Sequence, residues 1–298
     1  MAPEVSRVRT VVIGATGQLG SDIVRTWSDG ETVGLSHSAI EVVDRQQVLE
    51  VLRSQAPEAV VNCAAFHNVD ACEAEPERAF AVNALGAMNV ADACRALGAM
   101  LVFISTDYVF AGDSGRAYVE SDAPGPLNVY GVSKLAGEHL VRSRLERHYI
   151  VRTSGLYGTV GASGKGGNFV ERMLQLAGRG ENIRVVDDQV LSPTFTYDLA
   201  EKLHELVATG RSGTYHITNS GSCSWHDFAA RIFELTGTRA SLTRTTTGEF
   251  GAKARRPRHS VLASSALQEV GVAPLRPWTE ALADYLRRKG HLPAGIDR

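Results

Sequence analysis

The sequence predicts a doubly wound parallel α/β sheet with a smaller C-terminal lobe, and three observations predict it. Short apolar runs rich in β-branched residues alternate with longer amphipathic stretches through the first half of the chain. The first run, Val11-Val12-Ile13, leads straight into Gly14-Ala15-Thr16-Gly17-Gln18-Leu19-Gly20, a glycine-rich turn from strand to helix. Beyond Thr153 the texture changes to a Gly-rich segment at 158–167, followed by the patterns of a second, smaller unit.

In chain order, strands are expected at 10–14, 32–35, 59–64, 101–105 and 149–152, each a short apolar run. Helices are expected between them at 18–27, 46–54, 76–97 and 127–147. The third is long, and Pro76 suits its first turn because a missing N–H costs nothing there. The second lobe opens with a helix at 168–177 and a strand at 183–186; helices at 197–208 and 225–235 flank a strand at 213–218, and a last helix covers 278–288. Neither an internal repeat nor a long linker interrupts the chain. Residues 1–154 are therefore expected to form the sheet domain, with return segments near 191–218, and residues 155–298 mainly the second lobe, with the ligand cleft between them.

At 298 residues the chain can bury a large core, and with 44% hydrophobic and 21% charged residues it has the composition of a globular protein. A net charge of −2, from 31 basic and 33 acidic residues, supplies no general field for nucleic acid or anionic lipid, so small local partners are expected. Cys63, Cys72, Cys94 and Cys223 have neither C-x-x-C nor zinc-ligand spacing and read as free thiols in a reducing cytoplasm. Residues 1–10 lack the pattern of a secretory signal, and no run of about 18 apolar residues suggests a membrane span.

The chemistry-bearing residues fall at the predicted strand ends. Gly14, Gly17 and Gly20 let the backbone approach a pyrophosphate, whose charge the helix N-terminus favours, which makes this the dinucleotide loop of a Rossmann domain. About 20 positions on, where an acid would exclude a 2′-phosphate, stand Leu35-Ser36-His37-Ser38, so NADPH is acceptable as well as NADH. Asp44 follows, placed either to accept from an adenine amino group or to cap the next helix. Ser105-Thr106-Asp107 ends an apolar strand, where the Thr106 hydroxyl can bond a carbonyl as it becomes an alkoxide. Asn62 to His67 ends another strand and would line the nicotinamide ribose. Tyr130 and Lys134, at i and i+4 of a helix, share one face; a nearby ammonium favours the phenolate and should draw the phenol down from about 10 toward a useful acid. The basic run Lys253 to His259 is a natural clamp for a diphosphate, and it is too short for nucleic acid. The segment 225–233 reads as core.

Taken together, these segments resemble the extended short-chain dehydrogenase/reductase family, and within it the dTDP-4-dehydrorhamnose reductase branch. The G-x-x-G-x-x-G spacing, Asn62 to Glu73, Ala81 to Ala84, Ser105 to Phe110, Pro126 to Glu138, Gly167 to Phe169 and Val186 to Gln189 carry the likeness along nearly the whole chain. The resemblance implies that Gly17, Gln18, Leu19, Asp44, Arg45, Ala65, Phe66, His67 and Lys134 contact the cofactor. It implies that Thr106, Asp107, Tyr130 and Asn168 face a dTDP-linked keto sugar, that Arg256 holds its diphosphate, and that Tyr130 gives a proton as hydride reaches C4 of a 4-keto-6-deoxyhexose. Some members bind magnesium at a dimer contact; the acidic positions here are too scattered to assign its ligands, and monomer and homodimer are both compatible. One departure stands out in Thr153-Ser154-Gly155-Leu156-Tyr157, where better-known members carry tryptophan at the position of Gly155. The missing ring leaves room for a different hexose or a repositioned loop, unless Leu156, Tyr157 or 161–167 fills the space. The departure also leaves open a non-catalytic subunit like the regulatory β subunit of methionine adenosyltransferase, or an epimerase or dehydratase on the same scaffold.

Overall fold

A computed structural model of the chain describes residues 8–27, 30–160 and 167–292. In the first half the apolar runs become β1 (Arg9–Ile13), β2 (Glu31–Leu35), β3 (Ala59–Asn62), β4 (Met100–Thr106) and β5 (His148–Thr153). Between them lie α1 (Gln18–Thr26), α2 (Arg45–Gln55), α3 (Val69–Ala74), α4 (Pro76–Phe80), a π-helical turn (Ala81–Gly86), α5 (Ala87–Leu97) and α6 (Val129–Arg144). The second half adds β6 (Leu156–Tyr157), α7 (Phe169–Gly178), β7 (Asn182–Val186), β8 (Val190–Leu191), β9 (Thr194–Phe195), α8 (Thr196–Ala208), β10 (Gly213–His216), β11 (Cys223–Ser224), α9 (Trp225–Thr236) and β12 (Ser241–Thr245). It ends with α10 (Thr247–Phe250), α11 (Ser265–Glu269) and α12 (Trp278–Arg288).

The main sheet runs β10-β5-β4-β3-β1-β2 with every pairing parallel. Parallel strands need helical crossovers, so both faces are covered and the strands are apolar on both sides. Val48, Leu52, Val90, Cys94 and Val141 pack one face from α2, α5 and α6, while Ile23, Leu199, Leu203 and Leu267 pack the other from α1, α8 and α11. Chain order reverses at β1 and β3, the switch point at which such sheets bind ligands. A third cluster, built on Tyr157, Phe195, Phe228, Ile232 and Tyr285, is the core of the smaller lobe.

The expected long helix over 76–97 is instead broken. Its π turn swings Asn83, fully buried, so that its amide bonds both backbone groups of Phe66 (2.8 and 3.0 Å) and the Ser133 hydroxyl (3.0 Å). Side-chain bonds that reach 17 and 50 residues along the chain decide this geometry, and helical periodicity does not contain them. The helix α3 and the parallel β7–β12 pair were also outside the sequence expectation. None of the helices among the described residues is long and apolar enough to cross a membrane.

The contact of α6 with the π turn depends on Gly137, where an added Cβ would lie 2.3 Å from the Asn83 carbonyl oxygen and 2.9 Å from the Phe103 ring. Alanine in a helix interior ordinarily stabilises by about 1 kcal/mol. Here Gly137→Ala should destabilise by about 1–3 kcal/mol through overpacking, while Gly178→Ala, which meets nothing within 4 Å, should not. Denaturation midpoints of the two variants check this; a stabilised Gly137→Ala would contradict it.

Candidate active site

A cleft of about 890 Å³ opens along the carboxyl edge of the sheet and reaches from the glycine loop to the smaller lobe. At one end Gly14, Gly17, Gln18 and Leu19 line it. Gly14 has φ +81°, and a Cβ on Gly20 would lie 2.3 Å from the Gly14 carbonyl oxygen, so the turn is this tight only because these positions are glycine. Gly17 caps α1 without any side-chain bond, and no acid stands in the first turn, which leaves the helix N-terminus open to an anion. Ala65, Phe66 and His67 line the next stretch, with Phe66 held in place by Asn83.

Thr106, Asp107, Tyr130 and Lys134 meet at the middle of the cleft. Asn128 caps α6 by accepting from the Gly131 N–H (2.8 Å), and its amide donates to the Arg255 carbonyl (2.7 Å), fixing the start of the helix. One turn on, Lys134 is 2% exposed, and its ammonium donates to the Ile104 carbonyl (2.6 Å) and sits 4.1 Å from the centre of the Phe103 ring. Burial lowers it to about 8, against the charge of Glu138. Glu138 is itself buried and bonds Arg152 through two nitrogens (2.9 and 2.7 Å) and the Ser105 hydroxyl (2.6 Å).

The expectation that Lys134 draws the Tyr130 phenol down is corrected by the structure. Burial dominates and raises the phenol above its ordinary value; a hydrogen bond with Thr106 opposes this, and the charge of Asp107 adds to it. Asp107 does not simply face the cleft. It is 4% exposed and accepts from Ser154 (2.7 Å), Ser260 (2.5 Å) and Thr106 (3.1 Å). Burial pushes its carboxyl up to about 6 despite these three bonds.

Several expected contacts are engaged otherwise. Asp44 and Arg45 are not in the cleft lining: Asp44 caps α2, accepting from the Gln46 and Gln47 N–H groups (both 3.0 Å), and the exposed Arg45 pairs with Asp92 at 3.5 Å. At this end of the cleft the lining acid is Glu41, beside His37 and Val42, a position that no sequence motif marks. Ser36 is also outside the lining, its hydroxyl 2.8 Å from that of Ser38. Arg256 likewise lies outside it and pairs with Asp70 at 2.9 Å. Asn168 lines the cleft, yet its side chain is committed to capping α7 (3.1 Å) and to Gly158 and Tyr285 (2.8 and 2.9 Å).

Gly155 has φ +54°, and a Cβ there would lie 2.6 Å from Leu191 Cδ1; Leu191 therefore fills the place. Leu156 lines the cleft beside it, Tyr157 is turned into the small-lobe core, and 161–166 lie outside the described residues. Trp225, expected as core, lines the cleft and packs on Phe169 at 4.6 Å, so this apolar wall comes from α9 and α7. Among the described residues Asp187, His226 and Asp227 are grouped closely enough to hold a cation, but Arg244 and Ser224 already bond the Asp187 carboxylate.

Residues 8–290 match the family described as the RmlD substrate binding domain. A dTDP-4-dehydrorhamnose reductase of Streptomyces griseus is 41% identical over 289 residues, 93% of each chain, and the spore coat polysaccharide biosynthesis protein SpsK of Bacillus subtilis is 41% identical over 283, 94% of this chain and 98% of the other. A crystal structure of dTDP-4-dehydrorhamnose reductase from Bacillus anthracis in complex with NADP superposes with a TM-score of 0.91 at 38% identity, covering 95% of this chain and 99% of that one.

The Asp107 carboxyl makes fold stability respond to pH with a defined sign. Its folded pKa, about 6, lies above the ordinary 3.8, so the folded state binds more protons between those values and this group's contribution falls as pH rises through that window. Relative to Asp107→Asn, the wild type should therefore be more stable at pH 4.5 than at pH 7.5, as read by denaturant midpoints. A pH-independent difference would contradict the assignment.

Proposed function

The chain belongs to the RmlD substrate-binding family, and on that premise we propose that it reduces the 4-keto group of a dTDP-linked 6-deoxyhexose with NADPH or NADH, converting dTDP-4-dehydrorhamnose to dTDP-rhamnose. The observation that carries this reading is the convergence of Thr106, Tyr130 and Lys134 in one cleft with the glycine loop. The names of the relatives supply the substrate class. The residues present fit a nicotinamide dinucleotide: glycine at 14 and 20 permits close backbone approach, and the α1 N-terminus faces the cleft without a competing acid.

When bound, the nicotinamide supplies the hydride. Tyr130 supplies the proton that the new alkoxide takes up, and its raised pKa keeps the phenol protonated until then. Lys134 gives one N–H to Ile104, which leaves two for the hydroxyls of the nicotinamide ribose. Gly17, Gln18, Leu19, Ala65, Phe66 and His67 hold the cofactor, and Glu41 takes the adenine-side role first given to Asp44. Leu156, Leu191, Phe169 and Trp225 form the apolar side of the sugar pocket. We assign a small-molecule partner alone, with no nucleic acid and no membrane, to a monomer or homodimer working in the cytoplasm, where free cysteines such as the four here stay reduced.

Mixing the protein with NADPH and a dTDP-4-keto-6-deoxy sugar should cause sugar-dependent loss of nicotinamide absorbance. Tyr130→Phe should lower kcat by about 10²–10⁴-fold while retaining cofactor binding. Because the Lys134 ammonium loses its proton as pH rises through about 8, kcat/KM for the cofactor should fall above that pH, and Lys134→Met should abolish that dependence. Wild-type protein that binds both ligands and turns over neither would contradict the proposal.

A further inference from the structure

Leu191 is buried, yet it joins none of the apolar clusters of the described residues; it belongs to the wall of the cleft, with Leu156 beside it. Its place depends on Gly155, where a Cβ would lie 2.6 Å from Leu191 Cδ1 and 3.3 Å from the Pro193 Cα. A leucine fits here because position 155 has no side chain. The Val190 N–H donates to the Arg258 carbonyl (2.8 Å) and the Val190 carbonyl accepts from the Ser260 N–H (2.9 Å), while the Thr194 N–H donates to the Gly155 carbonyl (3.2 Å) and the Ser192 hydroxyl to the Gly221 carbonyl (2.8 Å). These bonds fix Leu191 and commit the donors of its neighbours. The wall also adjoins the reacting centre, since Ser154, which precedes Gly155, and Ser260 both donate to Asp107 (2.7 and 2.5 Å), next to Thr106.

We propose that Leu191, together with Leu156, receives the C6 methyl of the sugar and makes the site select 6-deoxy over 6-hydroxy hexoses. This deepens the function proposed above and rests on it. Once the C4 keto oxygen is at Thr106 and Tyr130, the two flanking ring carbons bring one hydroxyl, on C3, and one methyl, on C5. Only the methyl matches a surface made of two leucine side chains. A hydroxyl on C6 would give up water at that surface, and the donors of Val190, Ser192 and Thr194 are bonded elsewhere. Selection therefore comes from leaving a polar group unpaired. Gly155 and Leu191 act as one unit in this, because a side chain at 155 would occupy the place of the leucine.

Calorimetric titration of the NADPH-bound protein tests this by comparing dTDP-rhamnose with dTDP-β-L-mannose, the same sugar with a hydroxyl on C6. Both are alcohols at C4, so no hydride passes from the reduced cofactor and no turnover is needed. Wild type should bind the 6-deoxy sugar about 10–100-fold more tightly. Leu191→Ala and Leu191→Asn should each bring the two affinities within about threefold of one another, whereas Leu191→Met, an apolar side chain of similar size, should keep the preference. Circular dichroism, and an affinity for dTDP alone equal to that of wild type, establish that each variant is folded. Equal affinities of wild type for the two sugars would overturn the inference, as would a preference that survives in folded Leu191→Ala. Either result leaves the assigned reaction standing, while wild type that binds neither dTDP nor its sugars would remove that reaction and this inference with it.

Discussion

A lysine ammonium held almost out of contact with water is the constraint on which the rest of this site depends. Desolvating a charge is costly unless other groups replace its hydration. Here the Ile104 carbonyl and the face of Phe103 do so for Lys134, and both belong to the strand that also presents Thr106. The ammonium can be there only if α6 lies tight against β4 and the π turn, which is why position 137 is glycine. The same close packing brings Tyr130, one turn earlier, to the carboxyl edge of β4. Behind them Glu138, Arg152 and Ser105 form a fully bonded buried group, so the charge of Lys134 is never the only one in the interior. A half-satisfied network of this kind would destabilise the core; a complete one fixes its geometry.

The cleft is maintained from both lobes. The Gln18 amide oxygen accepts from the Gly158 N–H (2.8 Å), tying the glycine loop to the start of the second lobe. The buried Asp22 of α1 accepts from Thr196 at the start of α8 (2.5 Å). Ser260 and the Arg255 carbonyl bring the C-terminal segment to Asp107 and Asn128. Gln18, Asp107 and Ser260 line the cleft, so bonds between the two halves of the chain hold its walls.

Much of this was legible in the sequence because it is local. Apolar runs identified all the strands of the main sheet, and the glycines at 14, 17 and 20, set between a strand and a helix, marked the tight turn that lines the cleft. The i, i+4 relation put Tyr130 and Lys134 on one face before any coordinates. What stayed hidden depends on long-range partners. Asp44 satisfied both a binding rule and a capping rule, and the structure shows it bonded to the first turn of α2. Leu191 fills the room beside Gly155 because β8 returns across it, and no pattern near residue 155 could announce that. The direction of the Tyr130 shift was misjudged for a similar reason: charge proximity can be guessed from spacing, whereas the degree of burial cannot. The bonds of Asp107 span 47 and 153 residues, beyond any local motif.

The central claim is that one cleft brings a bound nicotinamide and the Tyr130 phenol to the same carbonyl. Single-turnover reduction with NADPH carrying deuterium at the transferable position of the ring, in ordinary water, tests it most directly. The account predicts a sugar product with one deuterium on C4 and none elsewhere, formed in step with oxidised cofactor. A product without deuterium at C4, or an altered sugar recovered with the labelled cofactor unchanged, would contradict it.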